Sequence, residues 1–366
     1  MISALSILLQ SLSSGMKWST KHLLFLLFIS LSPLISCRNT KNAPPIHHIA
    51  GKTMGTYYSI KYNGDLLPHL RQEVDSVLRR INGEVSTYVD TSILSIVNRT
   101  HTSLDLKQSP QLKGREIGRF LRNYRISDSV FRMSDGDFDP TIMPLVNYWG
   151  FGYAERKKRT DTVAPDSIRR LVGMHKIHLD HFILHKDLPG MQLDFSAVAK
   201  GDAVDEIARY LSSKAIQNYL VDIGGEVLAK GMKRPEEQWI IGINVPREHS
   251  GVTEVALAVP LQDAAIATSG NYRNYYTVLG RKYSHTINPT TGKSERNNLL
   301  SASILAHRCA WADALATACM VKGMPEAYHF IQKTKGVEGC FIYSLPSGRD
   351  TMVMTDGFMP INKTSK

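Results

Sequence analysis

The sequence predicts an α+β fold, and three observations carry that prediction. From residue 218 onward, strand-like stretches succeed one another across glycine or proline turns. Helical periodicity is confined to separate segments before and after that run. Regular βαβ alternation, which would build a parallel doubly wound sheet, does not occur, and neither do internal repeats or low-complexity blocks.

The segments follow in chain order. Lys17 and Lys21 precede the apolar run "LLFLLFISLSPLIS", residues 23–36, which is short for a membrane-spanning helix and interrupted by Pro33. Residues 1–36 therefore read as an export signal, with Met16 a more usual start for one than Met1. The run ends in "LISC", the form of a bacterial lipobox, in which Cys37 would be lipidated and become the new N-terminus. An ordinary secretory peptide with a chance cysteine is the plainer alternative. Residues 37–48 are polar with two prolines, as a tether would be, and the folded domain is expected over residues 49–366. Such an anchor places the protein in the bacterial cell envelope, held to a membrane and facing the periplasm.

Residues 53–62 alternate Tyr58, Ile60 and Tyr62 on one face, which is strand periodicity. Leu70, Val74, Val77, Leu78 and Ile81 recur at helical spacing, with Asn82 and Gly83 as the stop. Ile117, Leu121 and Tyr124 predict a second helix within residues 111–134. Short strands are expected at 176–180, 182–186 and 191–195, then a helix over 199–216. Strands dominate 218–231, 238–246, 254–261 and 264–270, followed by a hairpin around Gly280. Helices over 308–322 and 324–335 and strands at 340–345 and 350–356 close the chain.

The 366 residues carry a formal net charge of +11, and +9 remains once Lys17 and Lys21 leave with the signal. That excess favours anionic ligands or surfaces, although a solvated basic surface explains most of it. Nucleic acid is not indicated, because there is no aromatic-basic stripe and no zinc spacing. Beyond Cys37 only Cys309, Cys319 and Cys340 remain, too few and too odd in number for a disulfide framework.

Several short stretches carry candidate chemistry. In "WADALATACM", residues 311–320, Asp313 and Thr317 stand four apart among alanines, so a helix would set both oxygens on one face, open to close approach by a metal ion. The same pattern equally suits a threonine bonding back to a carbonyl and a solvated aspartate. Gly51, Lys52 and Thr53 mimic the tail of a P-loop, but Ile46 occupies the required glycine position, and no G-x-G-x-x-G follows a strand. "GDFDPTIMPLVNYWGFG", residues 136–152, gathers Asp137, Asp139, Asn147 and Trp149 in a loop suited to a polar aromatic ligand, or to a buried aromatic loop capped by acids.

"DFSAVAKGDAVD", residues 194–205, brings Asp194 and Lys200 to a strand-to-helix junction where backbone N–H groups favour phosphate; Asp202 and Asp205 there complement the helix dipole. Glycines in "DIGGEVLAKG" and "IATSGNY" permit close backbone approach or simple turns. His285, just before a Pro-Thr-Thr-Gly turn, can accept a proton near neutral pH or serve only structure.

Taken together and in order, "GTYYSI", "SILSIVN", "GDFDPTIMPLVNYWGFG", "DFSAVAKGDAVD", "VDIGGEVLAKG", "ATSGNY", "SHTINPTTG" and "ADALATA" resemble the consecutive signatures of the ApbE family, the FAD:protein FMN transferases. The resemblance spans roughly residues 50–322. It implies an α+β fold of mixed sheets with flanking helices and an FAD site in a central cleft. It implies Mg²⁺ as cofactor, held by Asp313 and Thr317 side-chain oxygens with the Ala197 carbonyl, a hard-oxygen set that leaves positions for water and phosphate.

By the same carry-over, Met54, Tyr88, Asp137, Phe138, Asp139, Asp194, Lys200, Ser269, Gly270, His285 and Ile287 are candidates for binding FAD, the substrate. His285 is the expected catalytic base. The reaction implied is transfer of FMN from FAD to a Thr or Ser hydroxyl of an exported or membrane flavoprotein, with release of AMP. Hydrolysis of FAD to FMN and AMP, or storage of FAD without chemistry, are the alternatives. The chain departs from the family pattern at Asp137, where alanine is usual, at Asn271 and Asn288, where aspartate is common, and in "SILSIVN", which lacks the usual glutamate.

Overall fold

Tyr58, Ile60 and Tyr62 are all essentially inaccessible to solvent, so the alternation in the sequence does define one buried face of a strand. A computed structural model of the chain describes residues 44–152, 161, 163–246, 254–271, 275–278, 281–295 and 297–360. The signal segment and Cys37 lie outside the described residues.

The chain begins with β1 (Ile46–Thr53) and β2 (Thr56–Asn63), an antiparallel hairpin. Two corrections arise here. The expected single strand over 53–62 is broken by a two-residue turn at Met54 and Gly55, both with positive φ, the geometry that matches the twist of a hairpin. Part of the expected tether is ordered as well: Ile46 pairs with Asn63, His47 Nε2 lies 2.9 Å from the Gly64 carbonyl, and His48 Nε2 lies 2.9 Å from Ser59 Oγ.

Next come α1 (Leu70–Val85) and α2 (Ile93–Arg99). The first runs through the expected stop at Asn82 and Gly83. Asn82 folds its amide back onto the Leu78 carbonyl, and Arg115 takes the Gly83 carbonyl at 2.7 Å, so both residues are satisfied inside a helix. Strand β3 (Ser103–Asp105), helix α3 (Gly118–Met133), and the short helices α4 (Met143–Tyr148) and α5 (Asp166–Arg169) follow. Residues 136–152, expected as a loop, contain helix α4; Pro144 at its start, where the missing N–H costs nothing, is the helix signal in that stretch.

Strands β4 (Ile177–Asp180) and β5 (Ile183–Lys186) pair with β3 in a small sheet. The third strand expected here, residues 191–195, does not form. Its backbone is pinned instead by one side chain, Asn98, which donates to the Leu193 carbonyl at 2.8 Å and accepts from the Leu193 N–H at 2.7 Å.

Helix α6 (Ala199–Ser213) leads into β6 (Tyr219–Ile223), β7 (Glu226–Lys230), β8 (Trp239–Asn244), β9 (Val255–Leu261) and β10 (Ala264–Gly270). The hairpin β11 (Tyr275–Val278) and β12 (Arg281–Ser284) forms as expected, with its two turn residues outside the described set. The chain ends in β13 (Leu299–Ala306), α7 (Cys309–Lys322), α8 (Glu326–Lys333), β14 (Val337–Ser344) and β15 (Asp350–Met354).

The main sheet has eight strands in the order β1-β2-β6-β7-β10-β13-β14-β15, every pairing antiparallel. Helices α1, α6, α7 and α8 cover one face, with α7 lying on β10 and β13, and α3 packs on α1 and α7. The opposite face receives the β8–β9 ribbon, where Val227, Ala229 and Ile266 meet Trp239, Ile243 and Leu261 in a second core. Strand alternation then decides the cleft. Val227 faces the ribbon, so its neighbour Glu226 faces the helices; Ile266 faces the ribbon, so Ser269, three residues on, faces α7.

Candidate active site

Helix α7 carries Asp313 and Thr317 on one face, as their spacing predicts. It is so rich in buried alanine that neighbouring backbones approach closely, and Asp313 is nearly inaccessible within it. The approach is tightest at Gly201 in α6, where a β-carbon would sit 2.4 Å from the Cys309 carbonyl oxygen and 2.7 Å from the Ala310 Cα. No side chain fits there. The Gly201 N–H thereby reaches Asp313 Oδ2 at 3.1 Å.

Asp202, which does lie in the first turn of α6, and Asp205 both serve as tertiary ties as well. Asp202 is fully buried, paired with the Arg122 guanidinium and accepting from Asn123 Nδ2 at 2.9 Å. Asp205 caps the other helix: its carboxylate takes the Cys309 N–H at 2.8 Å and the Ala310 N–H at 3.3 Å. The donors left over at the start of α7 are thus satisfied by α6.

Lys200 projects beside Asp313 into a cleft of about 470 Å³. Its Nζ donates to Glu226 Oε1 at 2.7 Å and lies 3.7 Å from Asp313 Oδ1. Burial alone would lower the lysine's pKa, but Asp313 and Glu226 outweigh it and hold the ammonium above its ordinary range. Burial pushes Asp313 upward against the pull of Lys200, and pushes Glu226 up to about 7. Thr317 Oγ1, one turn beyond Asp313, lies 3.3 Å from Ser269 Oγ at the end of β10.

The expected residues gather well. Asp313, Thr317, Ala197, Lys200, Ser269 and Gly270 line one side of the cleft; His285, Ile287, Phe138, Asp137, Asp139, Asp194 and the 70% exposed Tyr88 complete the expected set within it. Met54 does not join them. It occupies the β1–β2 turn, packed against the main core and outside the residues that line the cleft.

Three of the expected residues have partners within the protein. Asp139 accepts from Thr141 N–H and hydroxyl and from Met174 N–H, so its carboxylate organises its own loop, with burial raising its pKa. Asp137 forms an ion pair with Lys322 Nζ at 2.7 Å. Asp194 accepts from the Ser196 N–H at 2.8 Å, and burial raises its pKa too.

His285 stands on the other side, in a different packing unit. Trp149 donates its indole N–H to the Gly292 carbonyl at 3.0 Å, fastening the 136–152 segment to the Pro-Thr-Thr-Gly turn. Phe151 stacks on Tyr276 with centroids 5.2 Å apart and meets His285 edge-on at 6.4 Å. Glu226 is not among the site residues the sequence predicts, although it stands in "DIGGEVLAKG"; its signal is an acid one residue after a glycine pair, on the strand face opposite Val227.

The donor set fits a hard cation. Two buried carboxylates surround one ammonium, Glu226 Oε2 has no hydrogen-bond partner among the described residues, and a hydroxyl stands beside them. The arrangement is short of positive charge. A cluster of three or more His, Cys, Asp or Glu does not occur among the described residues, so a cation here would depend on hydroxyl and carbonyl oxygens and on its ligand's phosphates.

The chain is similar to known proteins along most of its length. The model of the ApbE family matches residues 54–341. An FAD:protein FMN transferase of Vibrio cholerae serotype O1 is 36% identical over 304 residues, covering 81% of this chain and 87% of the relative. The solved structure of a flavin transferase ApbE from Vibrio cholerae superposes with a TM-score of 0.73 at 32% identity, covering 86% of this chain and 98% of its own. The apo form of the Pseudomonas stutzeri flavinyl transferase ApbE gives a TM-score of 0.74 at 30% identity, with 86% and 96% covered. The cleft therefore sits in a fold shared along nearly the whole length of these relatives, and the chain belongs to the ApbE family.

Proposed function

We propose that this chain transfers the FMN portion of FAD to a Thr or Ser hydroxyl of a protein acceptor and releases AMP. The observation that carries this reading is the convergence of Lys200, Asp313, Thr317 and His285 on one cleft, together with relatives named for the same reaction. In that reaction the acceptor oxygen forms a bond to the phosphorus bearing riboflavin. The bond from that phosphorus to the bridging oxygen breaks, and AMP leaves with the bridging oxygen. The hydroxyl proton passes to an imidazole nitrogen of His285.

Lys200 supplies a fixed positive charge beside the pyrophosphate, kept protonated by Asp313 and Glu226. Asp313, Thr317 and the Ala197 carbonyl are the residues that would hold Mg²⁺. When bound, the ion would neutralise phosphate charge in the transition state. The aromatic side of the cleft, with Phe151 and Ile287, offers apolar surface to a flavin ring and limits water around His285.

The purified chain mixed with FAD, MgCl₂ and a candidate flavoprotein domain should give a fluorescent acceptor band, abolished by EDTA and restored by Mg²⁺. AMP release with no labelled acceptor in any such mixture would favour the pyrophosphatase alternative, and bound FAD left intact would favour storage. We further propose lipidation at Cys37 and a site of action at the envelope membrane, supported by Lys17, Lys21, the apolar run and "LISC". Mass analysis of the mature N-terminal peptide tests it; an unmodified Cys37 would sink it.

A further inference from the structure

A second cavity, of about 870 Å³, opens between the end of α3, helix α7 and helix α8. Arg308, Lys322, Lys333 and Lys335, together with two histidines, outnumber the two acids on its lining, Asp135 and Glu326; Arg308 lies 3.5 Å from the Asp205 carboxylate, so Lys333 and Lys335 carry the uncompensated charge. Trp311 and Phe330 add aromatic surface, and Lys322 Nζ lies 5.1 Å from the Phe330 ring centroid. Lys333 and Lys335 are exposed and make no ion pair among the described residues. Nothing in the reaction at the cleft uses these groups.

The position of this groove gives it meaning. Lys322 lines it, and the same ammonium binds Asp137, which lines the cleft, so one ion pair links the linings of the two cavities. An acceptor protein has to present a hydroxyl beside His285 while FAD occupies the cleft, and its remaining contacts must fall on neighbouring surface. Clustered exposed cations attract carboxylates and speed encounter, while aromatic faces accept the apolar side chains between them.

We propose that this groove seats an acidic segment of the protein acceptor close to the residue being modified, an inference that rests on the transferase reading above. The test uses the full mature chain, a flavoprotein domain that it flavinylates, and the variant Lys333→Glu/Lys335→Glu. The acceptor KM should rise roughly tenfold at low salt and the gap should shrink at high salt, while kcat and the KM for FAD stay unchanged. Lys333→Gln/Lys335→Gln should fall between the two.

An unchanged acceptor KM in the charge-reversed variant overturns the groove and leaves transfer standing. If the unaltered chain labels no acceptor yet cleaves FAD, the transferase reading is what fails. Binding then decides the groove by itself: a labelled peptide of alternating Asp and Gly should bind the unaltered chain and be weakened roughly tenfold in the reversed variant. No binding of that peptide, or capture of the chain by phosphatidylglycerol vesicles with the peptide ignored, overturns the proposal.

Discussion

The two sides of the cleft are built differently. The side bearing Lys200, Asp313, Thr317 and Glu226 belongs to the main core, where α6 and α7 touch backbone to backbone at Gly201 and are tied by Asp205. The side bearing His285 rests on a small separate cluster of Leu145, Trp149, Ala164, Val172, Tyr283 and Ile287. Buried charges need surroundings that cannot relax, because their interaction depends steeply on distance at low dielectric. A proton acceptor needs only reach and an apolar border. The difference teaches that the electrostatic half of this site is inseparable from folding, whereas the histidine half is an attachment to it.

Breaking the attachment should give the largest effect on chemistry. His285→Ala is expected to slow FMN transfer by about 10²–10⁴, equivalent to roughly 3–5 kcal/mol, with little change in melting temperature. Labelling rates and a thermal melt check it; a large drop in Tm would mean that the two sides are not separable. Gly201→Ala should act on the other side and on both properties. A β-carbon against the Cys309 carbonyl forces α6 and α7 apart, costing about 3 kcal/mol of stability by denaturant unfolding and weakening transfer as well. Full stability in that variant would refute the close-contact account.

A pH series sharpens the comparison. Glu226 has its folded pKa raised by burial to about 7 from an ordinary 4.5, so between those values the folded state holds more protons than the unfolded one. Its contribution to stability is present below pH 4.5 and is lost as pH rises toward 7, by about 3 kcal/mol. Glu226→Gln should flatten that part of the stability–pH curve, and an unchanged slope would count against it. Asp205→Asn, which keeps one capping acceptor and loses the charge, should cost about 1 kcal/mol. That change should appear as a small fall in Tm.

Much of this was legible in the chain. Strand alternation at Tyr58, Ile60 and Tyr62, the glycine-punctuated run after residue 218, and the spacing of Asp313 and Thr317 are local patterns, and each matches the element found. What escaped is what depends on partners distant in sequence. The Met54–Gly55 turn places a methionine at φ +50, which local preference argues against. Residues 191–195 look like a strand but are held by Asn98, and Asn82–Gly83 looks like a stop but is rescued by Arg115. Asp202 and Asp205 read as dipole partners alone until Arg122 and the start of α7 are brought against them. Glu226 carries no motif of its own; only the direction it faces puts it beside Lys200.

The bare α-carbon at position 201 has a consequence for how this sequence can drift. Because the Cys309–Ala310 backbone occupies the space a side chain would fill, a change at 201 can be tolerated only if the first turn of the facing helix retreats with it. Such a retreat would pull the Asp313 carboxylate off the amide that orients it. Heredity at one glycine is therefore coupled to a segment more than a hundred residues away.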